Sequence, residues 1–344
     1  MRKILMIGGT GTISTAIVKQ LAEEGLWEVT VLNRGNRADI LPQNVRQLVV
    51  DIDDEARVRE LTGDTHWDVV AEFIGFVPSQ VERDVRLFAG RTDQYVYISS
   101  ASAYHKPCKS YLITEGTTLA NPYWQYSRDK IACEEYLMKE YRENGFPVTI
   151  VRPSHTYDER NIPIGVHGKK GPWQVIDRIR QGKPVIIPGD GTSLWTLTFN
   201  RDFAYGYVGL LGNPHAIGEA VQITGDETLN WNLIYGAVAQ ALGVELHAVH
   251  VPSDFLAEVG ARFGYDYAGE LLGDKAESVV FDNRKLKRLS PGMKTTVPFD
   301  EGVRIALDYI LAHPEQQKPD PDFDAFTEKV IAAMEAAKAQ VTPA

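Results

Sequence analysis

The chain has 344 residues, which exceeds the usual size of one domain, so one large α/β unit with an appended lobe, or two domains, is expected, and a short disulfide-stapled fold is excluded. Its 36 Lys and Arg stand against 46 Asp and Glu, a net charge of −10 that repels phosphate backbones and argues against nucleic acid or an anionic membrane as the main partner. Two cysteines, Cys108 and Cys133, cannot supply a zinc ribbon or a disulfide framework and suit a reducing cytoplasm, while the apolar run in MRKILMIGGTGTIS is too short for a signal peptide or a membrane span.

Ile4 to Ile7 is the first β-branched, apolar run, followed by a helical pattern over Ser14 to Glu24 with Ile17, Val18 and Leu21 on one face. Strand-like runs follow at Glu28 to Leu32, Gln47 to Val50, Asp68 to Phe73, Tyr95 to Ser99 and Val148 to Val151, with helices at Asp84 to Phe88 and Ser127 to Tyr141. This alternation predicts a Rossmann-type, doubly wound parallel sheet. Beyond Pro153, Gly, Pro and Trp dominate Gly165 to Trp173 and Pro188 to Trp195, the texture of a smaller α/β substrate lobe. Gly218 to Thr224 reads as a late strand returning to the sheet. A Pro-rich joint at His313 to Pro321 precedes a terminal helix, Phe323 to Lys338, with Phe326, Val330, Ile331 and Met334 on one face. The division expected is residues 1–157 with 200–227 as the dinucleotide-binding unit, and 158–199 with 228–344 as the lobe.

Gly8-Gly9-Thr10-Gly11-Thr12-Ile13 lies between the first strand and the first helix, where glycines let backbone approach a pyrophosphate at the positive end of the helix dipole. Tight packing alone is the other explanation, since Ser14 stands where a third glycine would. The second strand ends in Asn33-Arg34-Gly35-Asn36-Arg37, without the acidic residue that grips the ribose 2′-hydroxyl of NAD. Arg34 and Arg37 could hold a 2′-phosphate instead, which favours NADP with NAD still possible; the alternative is a solvated turn. Asp51 and Ile52 are placed to meet the adenine, and Phe73-Ile74-Gly75 to lie beneath the pyrophosphate, with Gly75 allowing close approach.

Tyr126 and Lys130 are four residues apart, on one face of a helix. An ammonium beside a phenol stabilises phenolate and draws its pKa down from about 10, making it an acid or base for a secondary alcohol or ketone. With 15 tyrosines in the chain the spacing can also be an ordinary surface pair. Strand-end hydroxyls at Ser99, Ser100 and Ser102 add the position that decides it, because open α/β sheets present ligand contacts at the carboxyl ends of their strands.

With the glycine turn, the strand-end serines, Asn121-Pro122-Tyr123-Trp124-Gln125-Tyr126-Ser127-Arg128-Asp129-Lys130, Val151-Arg152-Pro153-Ser154 and the turn Gly189-Asp190-Gly191-Thr192, the chain resembles the extended short-chain dehydrogenase/reductase, or NAD-dependent epimerase/dehydratase, family along nearly its whole length. The resemblance implies Tyr126 as acid/base, Lys130 as the group that binds the nicotinamide ribose, Ser100 as hydroxyl partner with Ser102 as the alternative, and Pro153 beside the cofactor. Tyr123 is a decoy, with Ser127 four residues on. Homodimerisation through the helix after Pro78 and the Tyr126 helix is likewise implied.

Departures from the family pattern bear on substrate. Ala101 and Ser102 stand where dehydratases carry an Asp-Glu pair, so dehydration is not expected. Trp195 falls where epimerases place a diphosphate-binding arginine, and His155 replaces an asparagine. Arg201, Lys169, Lys170 or Arg284 could still hold a diphosphate, but a smaller sugar or polyol is favoured, with Trp195 as a stacking platform or simply a core residue. Trp124 and Trp173 are packing residues or lips of the cleft. His247-x-x-His250 is read as coincidence and no metal is expected. The function expected is NAD(P)-dependent hydride transfer at a secondary alcohol or ketone of a carbohydrate-like small molecule. Epimerisation through a transient ketone is the first alternative and a non-catalytic NAD(P)-binding regulator the second.

Overall fold

The computed structural model describes residues 1–37 and 40–341. Seven strands form the central sheet: β1 (Arg2–Ile7), β2 (Trp27–Asn33), β3 (Arg46–Val49), β4 (Val69–Glu72), β5 (Tyr95–Ile98), β6 (Val148–Pro153) and β7 (Ala220–Ile223). All pairings are parallel, and the order across the sheet is β7-β6-β5-β4-β1-β2-β3. Parallel strands covered on both faces need apolar side chains in both directions, which is why Ile4, Leu5, Met6 and Ile7 are all fully buried. The late strand expected at Gly218 to Thr224 joins the sheet, Ala220 pairing with Ile150.

Helices α1 (Thr12–Glu24) and α6 (Asn200–Val208) cover one face, where Ile4, Met6, Val29 and Val31 meet Ile17, Leu21, Phe203 and Tyr207. The opposite face carries α2 (Glu55–Thr62), α3 (Pro78–Phe88) and α4 (Gln125–Asn144), whose Val58, Val81, Leu87, Cys133 and Leu137 pack on Leu5, Ile7, Val70 and Tyr97. Sequence periodicity missed α2, since Glu55–Thr62 is mostly charged and buries only Val58 and Thr62; its start is set by Asp54, whose carboxylate accepts from Arg57 N at 3.0 Å. The helix read at Asp84 to Phe88 begins earlier, at Pro78, where the proline occupies the first turn.

A further apolar core gathers α5 (Trp173–Arg180), α7 (Trp231–Leu242), α8 (Ser253–Ala261), α10 (Phe299–Ala312) and α11 (Pro321–Gln340), while α9 (Arg284–Leu289) packs its leucines on the sheet. Trp173 is buried in it, away from any cleft lip. In α11 the expected face is the packed one: Phe326, Val330 and Ile331 are buried with Phe323, and Met334 is partly so. Two short segments tie this lobe to the sheet, Leu112–Ile113 pairing in parallel with Val280–Phe281. Among the described residues no helix is long and apolar enough to cross a membrane, and no group of three or more His, Cys, Asp or Glu could hold a metal ion.

Candidate active site

Strand order reverses between β1 and β4, so the connections leaving their carboxyl ends diverge and leave a crevice there. The glycine turn follows β1. Gly8 has φ +112° and Gly9 φ +74°, conformations that side-chain-bearing residues rarely adopt, and a Cβ on Gly9 would stand 2.6 Å from Val31 Cγ1. Both glycines are therefore demanded by the turn and its packing. Gly11 differs: a Cβ there would meet only Ser14 Oγ, at 3.5 Å, so its missing side chain leaves open space at the amino end of α1. Gly75 also has a packing reason: its Cβ would meet Glu72 Cγ and Tyr97 Cε2, both at 3.2 Å.

One cavity of about 580 Å³ runs along the outer half of this edge, lined by Gly8, Thr10, Gly11, Asn33, Arg34, Arg37, Asp51, Ile52, Phe73 and Ile74. Asn33 Oδ1 accepts from Gly35 N and Gln47 Nε2, both at 2.8 Å, which assigns the amide orientation and leaves buried Nδ2 without a partner among the described residues. Arg34 and Arg37 are exposed at the same mouth, Arg37 donating to Thr10 O at 3.4 Å. Asp51 accepts from Asp53 N, and Ile52 is largely buried.

Arg83 also lines this cavity and was not singled out in the sequence. It is paired with Asp53 at 2.6 Å and Asp84 at 2.8 Å. Beneath it, Glu72 is fully buried and accepts from Ile74 N, shaping the 73–76 segment; burial, then the nearby Asp84 carboxyl, pushes its pKa well above the ordinary range.

A second cavity, about 340 Å³, continues inward past Gly11, Thr12, Ile13 and Phe73 to Ser100, Tyr126, Lys130, Pro153 and His155. Tyr126 and Lys130 lie one turn apart at the start of α4, whose entry is shaped by Asn121: its Oδ1 accepts from Tyr123 N and Trp124 N, both at 3.1 Å. Lys130 is almost fully buried and donates to Gly75 O and Ile98 O, each at 2.7 Å, while its Nζ lies 5.8 Å from the Tyr126 ring centroid. An ammonium has three protons, so one remains for a ligand. Burial lowers the Lys130 pKa to about 8.

The Tyr126 phenol differs from the expectation. Burial raises its pKa above the ordinary value, and a hydrogen bond with Ser100, the next largest influence, opposes that rise. The anticipated lowering by the Lys130 ammonium is not what this arrangement produces: burial is the dominant influence on the phenol, and Lys130 is not among the groups that shift it. Ser100 lines both inner cavities, whereas Ser102 is largely buried behind it, linked to Ser100 Oγ at 2.9 Å and to Ser127 Oγ at 2.8 Å. Tyr123 does not line either cavity.

The third cavity, about 270 Å³, opens from Ser100 and Tyr126 toward the lobe and is walled by Ser102, Lys106, Trp124, His155, Trp195 and Asp274. Burial, then the Lys275 charge, lowers the His155 pKa to about 3, so its ring is neutral near pH 7. Trp195 packs on Trp231 with ring centroids 5.6 Å apart, serving the core while still forming part of the wall. None of the cations considered for a diphosphate borders this cavity. Lys170 donates to Pro319 O at 3.0 Å, Lys169 lies over the Tyr265 ring, Arg284 pairs with Asp282, and Arg201 lies over Phe199. Lys106 and Asp274 were missed because no motif marks them; they meet only through the fold.

Burial raises the Asp274 pKa to about 6, against the opposing charges of Lys106 and Lys275. A carboxyl raised in the folded state contributes stability that is full below its ordinary pKa, 3.8, and is lost as pH rises through 6. Asp274→Asn cannot titrate, so the wild type should lose thermal stability relative to this variant between about pH 4 and about pH 7. Melting temperatures measured in parallel at the two ends would check it; a constant difference refutes it.

Comparison with known proteins follows the same lines. A family model described as the NAD dependent epimerase/dehydratase family matches residues 4–224. The 2′-dehydrokanamycin reductase of Streptomyces kanamyceticus is 27% identical over 289 residues, 84% of this chain and 79% of the relative. A protein named putative UDP-glucose 4-epimerase from Methanocaldococcus jannaschii is 27% identical over 331 residues, 89% and 98% of the two chains. Among solved structures, UDP-glucuronic acid 4-epimerase from Bacillus cereus, in complex with NAD, superposes with a TM-score of 0.70 at 19% identity, over 92% of this chain and all of that one, a likeness of fold.

Proposed function

The chain belongs to the NAD dependent epimerase/dehydratase family, which is enzymatic, and we propose that it is an NAD(P)-dependent oxidoreductase acting at a secondary alcohol or ketone of a carbohydrate-like substrate. The observation that carries this reading is that the second and third cavities share Tyr126 and Ser100 in their walls, so a dinucleotide in one and a small substrate in the other can reach the same phenol.

The residues present suit the dinucleotide. Gly11 leaves room at the helix terminus for a pyrophosphate, Asn33 Nδ2 needs an acceptor, and Lys130 retains a proton for a ribose hydroxyl. The bound nicotinamide would accept or supply the hydride at the carbinol carbon. Tyr126 Oη takes the hydroxyl proton in oxidation or gives one to the ketone in reduction; its raised pKa keeps it protonated at neutral pH, which suits reduction. Ser100 lines the same wall as that phenol and aligns the substrate oxygen, and Ser102, itself bonded to Ser127, orients Ser100. The test is stoichiometric: with keto sugars and NADPH, alcohol formed should equal cofactor consumed. A ketone that turned over before reduction would instead make the site an epimerase, recognised by inversion at the carbon without net cofactor consumption; the family match and the epimerase relative favour keeping that second reading.

Preference for NADP rests on Arg34 and Arg37 at the cavity mouth and on the absence of an acidic residue at Asn33. Arg37→Ala should weaken NADPH binding roughly tenfold, the loss of one charge-assisted contact, and leave NADH binding unchanged. Fluorescence titration with each cofactor decides it, and equal losses would refute a 2′-phosphate contact. The reading further takes residues 1–157 with 200–227 as the dinucleotide-binding unit, a homodimer through α3 and α4, and a cytoplasmic setting supported by two free thiols, Cys108 and Cys133.

A further inference from the structure

The lobe-side cavity has a polar wall that proton transfer at Tyr126 does not use. Asp274 lies on a π-helical turn, Ala268–Lys275, a rare conformation that is frequent at functional sites. The turn is pressed onto Trp124: a Cβ on Gly269 would stand 2.2 Å from Trp124 Cδ1, and one on Gly273 would stand 3.0 Å from Trp124 Cβ. Asn121 Nδ2 ties it down further, donating to Gly273 O at 2.7 Å and Ser102 O at 2.9 Å. Asp274 is thereby held in the wall of the cavity that Tyr126 also lines, and its carboxylate has no hydrogen-bond partner among the described residues.

Charge and hydrogen-bonding capacity select what this wall recognises. Asp274 and Glu270 are balanced by Lys106 and Lys275, the latter paired with Glu270 at 3.2 Å, and His155 is neutral, so the surroundings carry no formal net charge. Neither a diphosphate nor a polycation is matched. Asp274 offers only acceptors. Lys106 and the indole N–H of Trp195, buried without a partner among the described residues, offer only donors. Phosphate oxygens accept and an ammonium donates, whereas a hydroxyl does both. A volume of about 270 Å³ equals roughly nine waters' share of liquid, room for one ring and its hydroxyls.

We propose that Asp274 is the specificity-determining residue of this cavity, accepting a hydrogen bond from a hydroxyl of a free, neutral polyhydroxylated ring, a monosaccharide or cyclitol, while Lys106 and Trp195 donate to oxygens of the same ring. The proposal rests on the reading of Tyr126 as the residue that handles the reacting hydroxyl.

The test offers the full-length protein and NADP a panel of free aldoses and inositols, their single-deoxy analogues, glucosamine and UDP-glucose, following cofactor reduction. At least one free polyol should be oxidised. For that substrate, Asp274→Ala should raise KM roughly ten- to hundredfold with kcat little changed, as expected for loss of a charged acceptor contacting the substrate in ground and transition states alike. Asp274→Asn keeps an acceptor oxygen and should recover much of the loss, and one deoxy analogue should be treated alike by wild type and Asp274→Ala. NADP affinity, unchanged in both variants, verifies that they fold. Preference for glucosamine over glucose, a higher kcat/KM for UDP-glucose, an unchanged KM in Asp274→Ala, or no oxidation of any free polyol overturns the proposal. Turnover of UDP-glucose that disappears in Tyr126→Phe overturns it alone; polyol turnover that survives Tyr126→Phe overturns the Tyr126 reading instead.

Discussion

Tyr126→Phe should lower turnover about a hundred- to ten-thousandfold, the usual contribution of a positioned general acid or base. The ring would still fill its place beside Trp124 and Phe76, whose centroids lie 5.0 and 6.5 Å from it, so the cavity wall survives and only the titrating hydroxyl is lost. Affinity for NADP should change little, because the contacts open to a dinucleotide come from Gly11, Asn33 and Lys130. Steady-state rates with a responsive substrate and a separate cofactor titration check the two halves. Retained turnover would refute the proposed chemistry, and lost cofactor binding would show that the phenol is part of the cofactor contact.

The largest stability effect is expected at Arg152, at the carboxyl end of β6. Its guanidinium is almost fully buried and holds the Glu134 carboxylate of α4 through two hydrogen bonds, Nε to Oε1 at 2.9 Å and Nη2 to Oε2 at 2.6 Å. Ser99 Oγ also donates to Glu134, so strand end, helix and sheet converge on one buried carboxylate. Removing one partner of such a pair leaves an uncompensated buried charge, and Arg152→Ala should cost about 3–5 kcal/mol. Replacing both members with apolar residues, Arg152→Met with Glu134→Leu, removes that charge, so the double variant should be more stable than Arg152→Ala. Urea unfolding midpoints at neutral pH measure both. Equal destabilisation of single and double variants would show that shape, and not charge, sets the cost.

Much of the cleft at the carboxyl ends of β1 and β4, where a dinucleotide is proposed to bind, was legible in the sequence because its requirements are local. Gly8 and Gly9 need positive φ directly after a buried strand, and Gly11 must leave space at a helix terminus, so the turn declares itself within six residues. Tyr126 and Lys130 needed only helical spacing. The packing role of Gly75 was hidden for the opposite reason: its surroundings are Glu72, Tyr97 and Val81, and the contact with Tyr97 depends on how two strands pair. The Tyr126 pKa misled because spacing along a helix says nothing about how deeply a phenol is buried, and burial is the largest influence on this one.

By itself the sequence determined the parallel α/β alternation, the glycine turn at the first strand and the position of the Tyr126 helix, since each follows from periodicities and conformational demands spanning a few residues. Only the tertiary structure decided which residues meet in the lobe-side cavity, where His155 and Trp195, singled out in the sequence, are joined by Lys106 and Asp274, which were not. Lys106, His155, Trp195 and Asp274 come from four separate stretches and reach one cavity because Leu112–Ile113 pairs with Val280–Phe281 and Asn121 ties the strand-end serines to the π-helical turn. Their charges and protonation depend on that burial and on one another. Such dependence is non-local, and no spacing along the chain encodes it.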